Sequence, residues 1–118
     1  MNGTESTSQD LAQVIWPELA PVQADRIIHG TPSTATVVML DTPAHTMGLW
    51  KVTPGAFETN HAGYIEFIHV ISGTGRLVSE AGVITELKAG TTSLMPEDWK
   101  GRWEVDETLT KVFTIIEH

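Results

Sequence analysis

From Ile27 onward, apolar and β-branched residues come in runs of about five to eight, broken at short intervals by Gly, Pro, Asn and Asp. The runs are Thr36–Leu40, Met47–Thr53, Tyr64–Ile71, Gly75–Ser79, Val83–Lys88, Thr91–Met95, Gly101–Val105 and Leu109–Ile116. Turn signals separate them at Asp41-Thr-Pro43, Pro54-Gly55, Asn60 to Gly63, Glu80-Ala-Gly82, Ala89-Gly90 and Pro96-Glu-Asp98. Period-two alternation along Tyr64–Ile71 sets Glu66, Ile68 and Val70 on one face of a strand and Ile65, Phe67, His69 and Ile71 on the other. Upstream, Met1 to Gln9 is polar and reads as a loose tail. Asp10–Trp16 is expected to form one or two helical turns, capped by Asp10 and stopped by Pro17. The turn signals are too closely spaced for a helix longer than about three turns, and many short strands with regular turns predict an all-β sandwich or barrel. The expected organisation is a tail with a short helical segment over residues 1–25 and a barrel over residues 26–118.

Composition narrows this reading. A chain of 118 residues is expected to form one domain. With no cysteine, neither disulfides nor thiolate metal sites contribute. Seven Lys and Arg against 15 Asp and Glu give a formal charge of −8. A basic footprint for phosphate backbones or anionic lipid surfaces is missing, so neither nucleic acid nor membrane is an expected partner. No basic residue precedes Arg26, and no apolar run approaches the roughly 20 residues of a membrane span. A soluble, cytoplasmic protein is expected.

Two segments carry more specific information. The first is Pro54-Gly55-Ala-Phe57-Glu-Thr-Asn-His61-Ala-Gly63-Tyr64-Ile-Glu66-Phe-Ile-His-Val-Ile-Ser-Gly73, and the second is Gly90-Thr-Thr-Ser-Leu-Met-Pro96-Glu-Asp98-Trp99-Lys-Gly101-Arg-Trp103-Glu-Val105. Together they resemble the two motifs of the cupin superfamily. In the first, Glu66 and Gly73 match in full. In the second, Gly90 and Pro96 match, while Asp98, Gly101 and Val105 stand where the motif has Gly, His and Asn. The stretch Gly48-Leu-Trp50-Lys-Val-Thr53-Pro-Gly55 and the stretch from Trp99 to Lys111 are similar to segments of small cupins of the ureidoglycine aminohydrolase and ethanolamine-utilisation kind. The resemblance implies a double-stranded β-helix, the jelly-roll barrel of cupins. Gly55, Gly73, Gly82 and Gly90 fall where a positive φ is expected, and Pro96 opens a turn with its φ already set.

Metal-binding cupins hold their ion with three imidazoles and one carboxylate, a donor set suited to Mn, Fe, Ni or Zn. Here the second-motif His is replaced by Gly101. Counted from Gly55, His61 is the first-motif His whose partner is replaced by Gly63; counted back from Glu66, it is the second, with Thr59 in place of the first. Either way one His and one Glu remain, so no cofactor is predicted; a divalent ion, if present, would use His61 and Glu66, with His45 or Asp98 the residues left to complete the set. A carboxylate in an apolar barrel needs a partner, and Lys51, Arg76 and Arg102 are the candidates. Glu66 and His61 are the candidate acid–base pair. Tyr64, Trp50, Trp103, Lys51 and Arg102 are the candidate ligand-pocket residues, the aromatics because flat faces in a concavity suit small ligands.

Two functions follow. One is a metal-poor pocket holding a small polar metabolite. The other is an enzyme similar to ureidoglycine aminohydrolase or a sugar isomerase, using Glu66 and His61. The apolar outer face Ile65, Phe67 and Ile71 predicts a homodimer.

Overall fold

Two long strands organise the molecule, and both change direction part-way along. The computed structural model describes residues 5–117. Residues 1–4 of the expected tail, and His118, lie outside that range. In chain order the strands are β1 (Ala20–Pro21), β2 (Ile27–Gly30), β3 (Ser33–Asp41), β4 (His45–Val52), β5 (Gly55–Asn60), β6 (Tyr64–Ser79), β7 (Ile84–Leu87), β8 (Thr92–Met95) and β9 (Lys100–Glu117), with one 3-10 turn at Ala24–Arg26.

Strands β6 and β9 pair antiparallel along their whole length, from Tyr64–Glu117 to Ser79–Gly101. Register shifts between Val70 and Gly75 bend the pair. On one side of the bend β4 and β8 flank it, and β3 and β1 extend the sheet beyond β4. On the other side β5 and β7 flank it, and β2 extends the sheet beyond β5. The result is an all-β jelly roll, a curled antiparallel sheet whose halves face one another.

The bend depends on Gly73, whose φ is 89°. A Cβ there would run into the Thr108 carbonyl and come within 2.5 Å of the Leu109 Cα. Runs that read separately from sequence, Tyr64–Ile71 and Gly75–Ser79, are therefore one strand folded over at a glycine. The core fills the space between the halves with Val52, Phe57, Ile68, Val70, Leu77, Leu87, Met95, Trp103, Val105, Leu109 and Phe113. Each fully buried Ile or Leu in this group contributes about 1.5–3 kcal/mol.

Three local features differ from the sequence reading. Over Asp10–Trp16 no helical turn forms, only a hydrogen-bonded turn at Asp10–Gln13, in which the Gln13 N–H donates to the Asp10 carbonyl and the Ala12 N–H to Asp10 Oδ1, both at 2.9 Å. It does not propagate, because an isolated turn has a costly nucleus and Ile15, 91% exposed, gives it no packed face. Strand β5 lies where only turn signals were read. Packing also begins before residue 26: β1 pairs with Ser33 and Thr34, and Val22 belongs to the core.

Replacing Gly73 with Ala is expected to lower unfolding stability by about 2–3 kcal/mol, since strain at positive φ and a backbone collision add. A loss below about 0.5 kcal/mol in urea denaturation would show that the bend does not need a glycine.

Candidate functional site

Among the described residues, the buried charged or imidazole side chains are His61, Glu66 and Lys111. All three line one cavity of about 320 Å³, together with Trp50, Trp103, Phe57 and Phe113.

Strand alternation accounts for two of them. Glu66 shares the inner face of β6 with the fully buried Ile68 and Val70. Lys111 lies between Leu109 and Phe113 on the inner face of β9. The two meet across the sheet because Glu66 pairs with Ile115 and Val70 with Lys111, so both strands present these positions to the same cavity. Lys111 Nζ donates to Glu66 Oε2 at 2.7 Å. The ammonium also lies 4.2 Å from the ring centre of Trp50, 4.7 Å from that of Trp103 and 5.8 Å from that of Phe113. These aromatic faces replace part of the hydration that burial removes.

His61 is held by main-chain bonds. Its N–H donates to the Trp99 carbonyl at 2.8 Å, and its carbonyl accepts from the Asp98 N–H at 2.9 Å. Asp98 Oδ1 accepts from the Gly63 N–H at 3.1 Å. Asp98 adopts φ 66°, so it performs the left-handed step for which the family motif uses Gly. The imidazole stacks on Tyr64 at 4.7 Å and meets the Trp99 ring edge-on at 5.4 Å. Its Nε2 is 3.7 Å from Glu66 Oε1, and its buried Nδ1 has no hydrogen-bond partner.

Burial lowers the His61 pKa from its ordinary value, outweighing the opposing pull of Glu66. The imidazole is therefore neutral at neutral pH. Burial also lowers the Lys111 pKa, against the stabilising carboxylate of Glu66. The Tyr64 phenol is raised by burial and then by Glu66, which keeps it protonated.

The structure brings Glu66, His61, Tyr64, Trp50 and Trp103 to the same cavity. Lys51 and Arg102 are not among its lining residues. Lys51 projects from the opposite face of β4, with its ammonium 4.6 Å from the ring centre of Trp16. Arg102 donates to Glu104 at 2.7 Å. Arg76 is engaged by Glu86, Glu104 and Asp106. The partner of Glu66 is thus none of the three expected cations but Lys111, whose place between two core-facing residues of β9 was the available signal.

The donor set does not fit a divalent ion. Among the described residues no group of three or more His, Cys, Asp or Glu side chains is placed to hold one. His45 is exposed and engaged with Thr42, and Asp98 is committed to Gly63. A Cβ on Gly101 would strike the Val78 carbonyl and come within 2.6 Å of the Trp99 ring, so the indole occupies the space a side chain at 101 needs. The Lys111 ammonium already neutralises the carboxylate.

The family model described as an EutQ-like cupin domain matches residues 41–113. The chain belongs to this cupin family. Among solved structures, the EutQ protein of Clostridium difficile superimposes with a TM-score of 0.65 at 17% identity, covering 83% of this chain and 80% of that one. A protein of unknown function from Pseudomonas syringae pv. tomato gives 0.75 at 19% identity, covering 86% and 44%. Ectoine synthase from P. lautus gives 0.63 at 16%, covering 81% and 72%. At these identities the likeness is one of fold. No curated protein matches the chain.

Removing one member of the buried ion pair leaves the other charged and unpaired. Lys111→Met and Glu66→Gln are each expected to cost about 3–5 kcal/mol, with the double variant costing much less than their sum. Additive losses in a denaturation cycle would show that the two groups are not coupled.

Proposed function

We propose that this cupin binds a small polar metabolite in the barrel cavity, without a resident metal. The observation that supports this most directly is the convergence of His61, Glu66 and Lys111 on one aromatic-walled cavity. A packed core carries no such cluster without cost, since each of these groups gives up hydration on burial. Trp50 and Trp103, with ring centres 5.2 Å apart and planes at 52°, and Phe57, nearly parallel to Trp103, supply flat apolar walls. The polar trio supplies direction: a neutral imidazole, a carboxylate and an ammonium within one small volume. With Arg26, Thr36, Thr46 and Thr59 also in the lining, the cavity is mixed, aromatic walls carrying convergent polar groups as small-molecule sites do.

An enzymatic reading of the same cavity is favoured by one contact, His61 Nε2 at 3.7 Å from Glu66 Oε1, with burial holding the imidazole below its ordinary pKa. Such a pair moves a proton between substrate positions without a metal.

A thermal-shift screen of ureides, amino-sugar derivatives, uronic acids and small amines tests the binding reading. A true ligand at 100 times its Kd is expected to stabilise the native state by about 2.7 kcal/mol, and Trp103→Ala is expected to abolish the effect. If no compound shifts the transition, or if the shifts survive Trp103→Ala, the cavity is not the site. Near-stoichiometric Mn, Fe, Ni or Zn in elemental analysis of untagged protein would overturn the metal-free part.

The proposed assembly is a homodimer through the outer face of the β3-β4-β9-β6-β8 half. One row crosses all five strands, with Leu40 opposite Met47, Met47 opposite Thr114, Thr114 opposite Phe67, and Phe67 opposite Leu94. At about 4.8 Å per strand that row is roughly 20 Å wide. Phe67 is 48% and Leu94 59% exposed, which suits a self-complementary interface. Light scattering is expected to report a dimer at micromolar concentration and a monomer for Phe67→Lys. A monomeric wild-type protein would remove the proposal.

A further inference from the structure

Lys111 has a second chemical capacity that ion pairing does not use. A buried primary amine lining a cavity, with a proton acceptor in contact and room for a substrate beside it, is the arrangement from which lysine adds to carbonyl carbon. Lys111 is 4% exposed, lines the 320 Å³ cavity and has its nitrogen 2.7 Å from Glu66 Oε2.

From this geometry we infer that the cavity takes a small aldehyde or ketone and holds it as a reversible imine on Lys111. The inference rests on the binding reading above and names the ligand class for that site. The steps close within the residues present. The Lys111 ammonium passes one proton to Glu66, and the free amine forms the C–N bond at the carbonyl carbon. A second proton moves from nitrogen to the former carbonyl oxygen, giving the carbinolamine. Glu66 returns its proton to that oxygen, the C–O bond breaks and water leaves. The product is a protonated iminium that keeps the third nitrogen-bound hydrogen, and Glu66 is again a carboxylate. No oxidant or reductant is required, and addition of water reverses the sequence.

Three features favour this outcome. The iminium is a cation, so the Glu66 carboxylate and the faces of Trp50 and Trp103 that hold the ammonium hold it as well. Burial lowers the Lys111 pKa, which makes the amine form more accessible than on a surface lysine. The cavity volume equals roughly ten water molecules' worth of liquid, which suits a compact carbonyl compound with an aliphatic or aromatic substituent.

The chain contains four lysines, Lys51, Lys88, Lys100 and Lys111, so the site of reaction can be read directly. Wild-type protein is incubated with limiting butanal, benzaldehyde or cyclohexanone and sodium cyanoborohydride, then digested for mass mapping. The expected result is a reduced adduct on Lys111 at least about tenfold above that on each exposed lysine, falling about tenfold in Glu66→Gln. Adducts distributed by exposure, with Lys111 unmodified, overturn the imine, and an unchanged Glu66→Gln rate removes the carboxylate from the mechanism. Quenching of tryptophan fluorescence by butanol, benzyl alcohol and cyclohexanol is measured in parallel, because these analogues fit the cavity but form no imine. Quenching without a Lys111 adduct leaves the binding reading standing and defeats the imine alone. Neither quenching nor adduct defeats both.

Discussion

Taking the Lys111 ammonium out of water is the constraint on which the rest of the site depends. An isolated buried cation costs several kcal/mol, and the protein meets that cost with a carboxylate at 2.7 Å and three aromatic faces. Both answers need backbone support. Glu66 reaches the ammonium because β6 and β9 are paired through this stretch, and Trp50 lies within reach because β4 pairs with β9 on the other side, opposite Lys111 itself. Shifting either strand by one residue would turn the ion pair's members onto opposite faces.

The same constraint sets the donors of this cavity apart from the three-imidazole set of metal-binding cupins. A divalent ion and a buried ammonium compete for one carboxylate, and the space for another donor is already filled by the Trp99 indole. Trp99 also accepts the His61 N–H through its carbonyl, so the residue that closes off position 101 helps to hold the remaining imidazole. Loss of one ligand and retention of another are thus parts of one packing arrangement. The Asp98 turn completes it: its left-handed step needs no Gly, because a short polar side chain tolerates that conformation and bonds the neighbouring loop.

Fold was legible in the sequence because it is carried by short-range signals. Turn residues marked most of the chain reversals, and alternation along Tyr64–Ile71 separated the inner Glu66 from the exposed Phe67. Two-motif resemblance then selected the jelly roll among β folds. The site was legible only in part. Glu66, His61, Tyr64, Trp50 and Trp103 stood in or beside motif segments, and Lys111 ended the family-like stretch from Trp99, but in a run that reads as an ordinary strand with one charge. Which cation meets Glu66 is a long-range question, since the partners stand 45 positions apart in the sequence. Lys51 could not answer it, since Trp50, its neighbour, faces the cavity and consecutive strand residues point apart. Strand β5 was hidden because its residues are short on large apolar groups and lie between two strong turn signals.

The bent pairing of β6 and β9 also bears on how the chain finds its structure. Ser79 meets Gly101 across the shortest stretch of sequence in that ladder, and Tyr64 meets Glu117 across the longest. Closing a short loop costs less entropy than closing a long one, so the ladder zips most cheaply from its Ser79–Gly101 end toward the bend at Gly73 and only then beyond it. Glu66 and Lys111 lie on the far side of that bend. On that order their charges would leave water late, after the apolar partners on the near side, Leu77, Trp103 and Val105, had begun to exclude it.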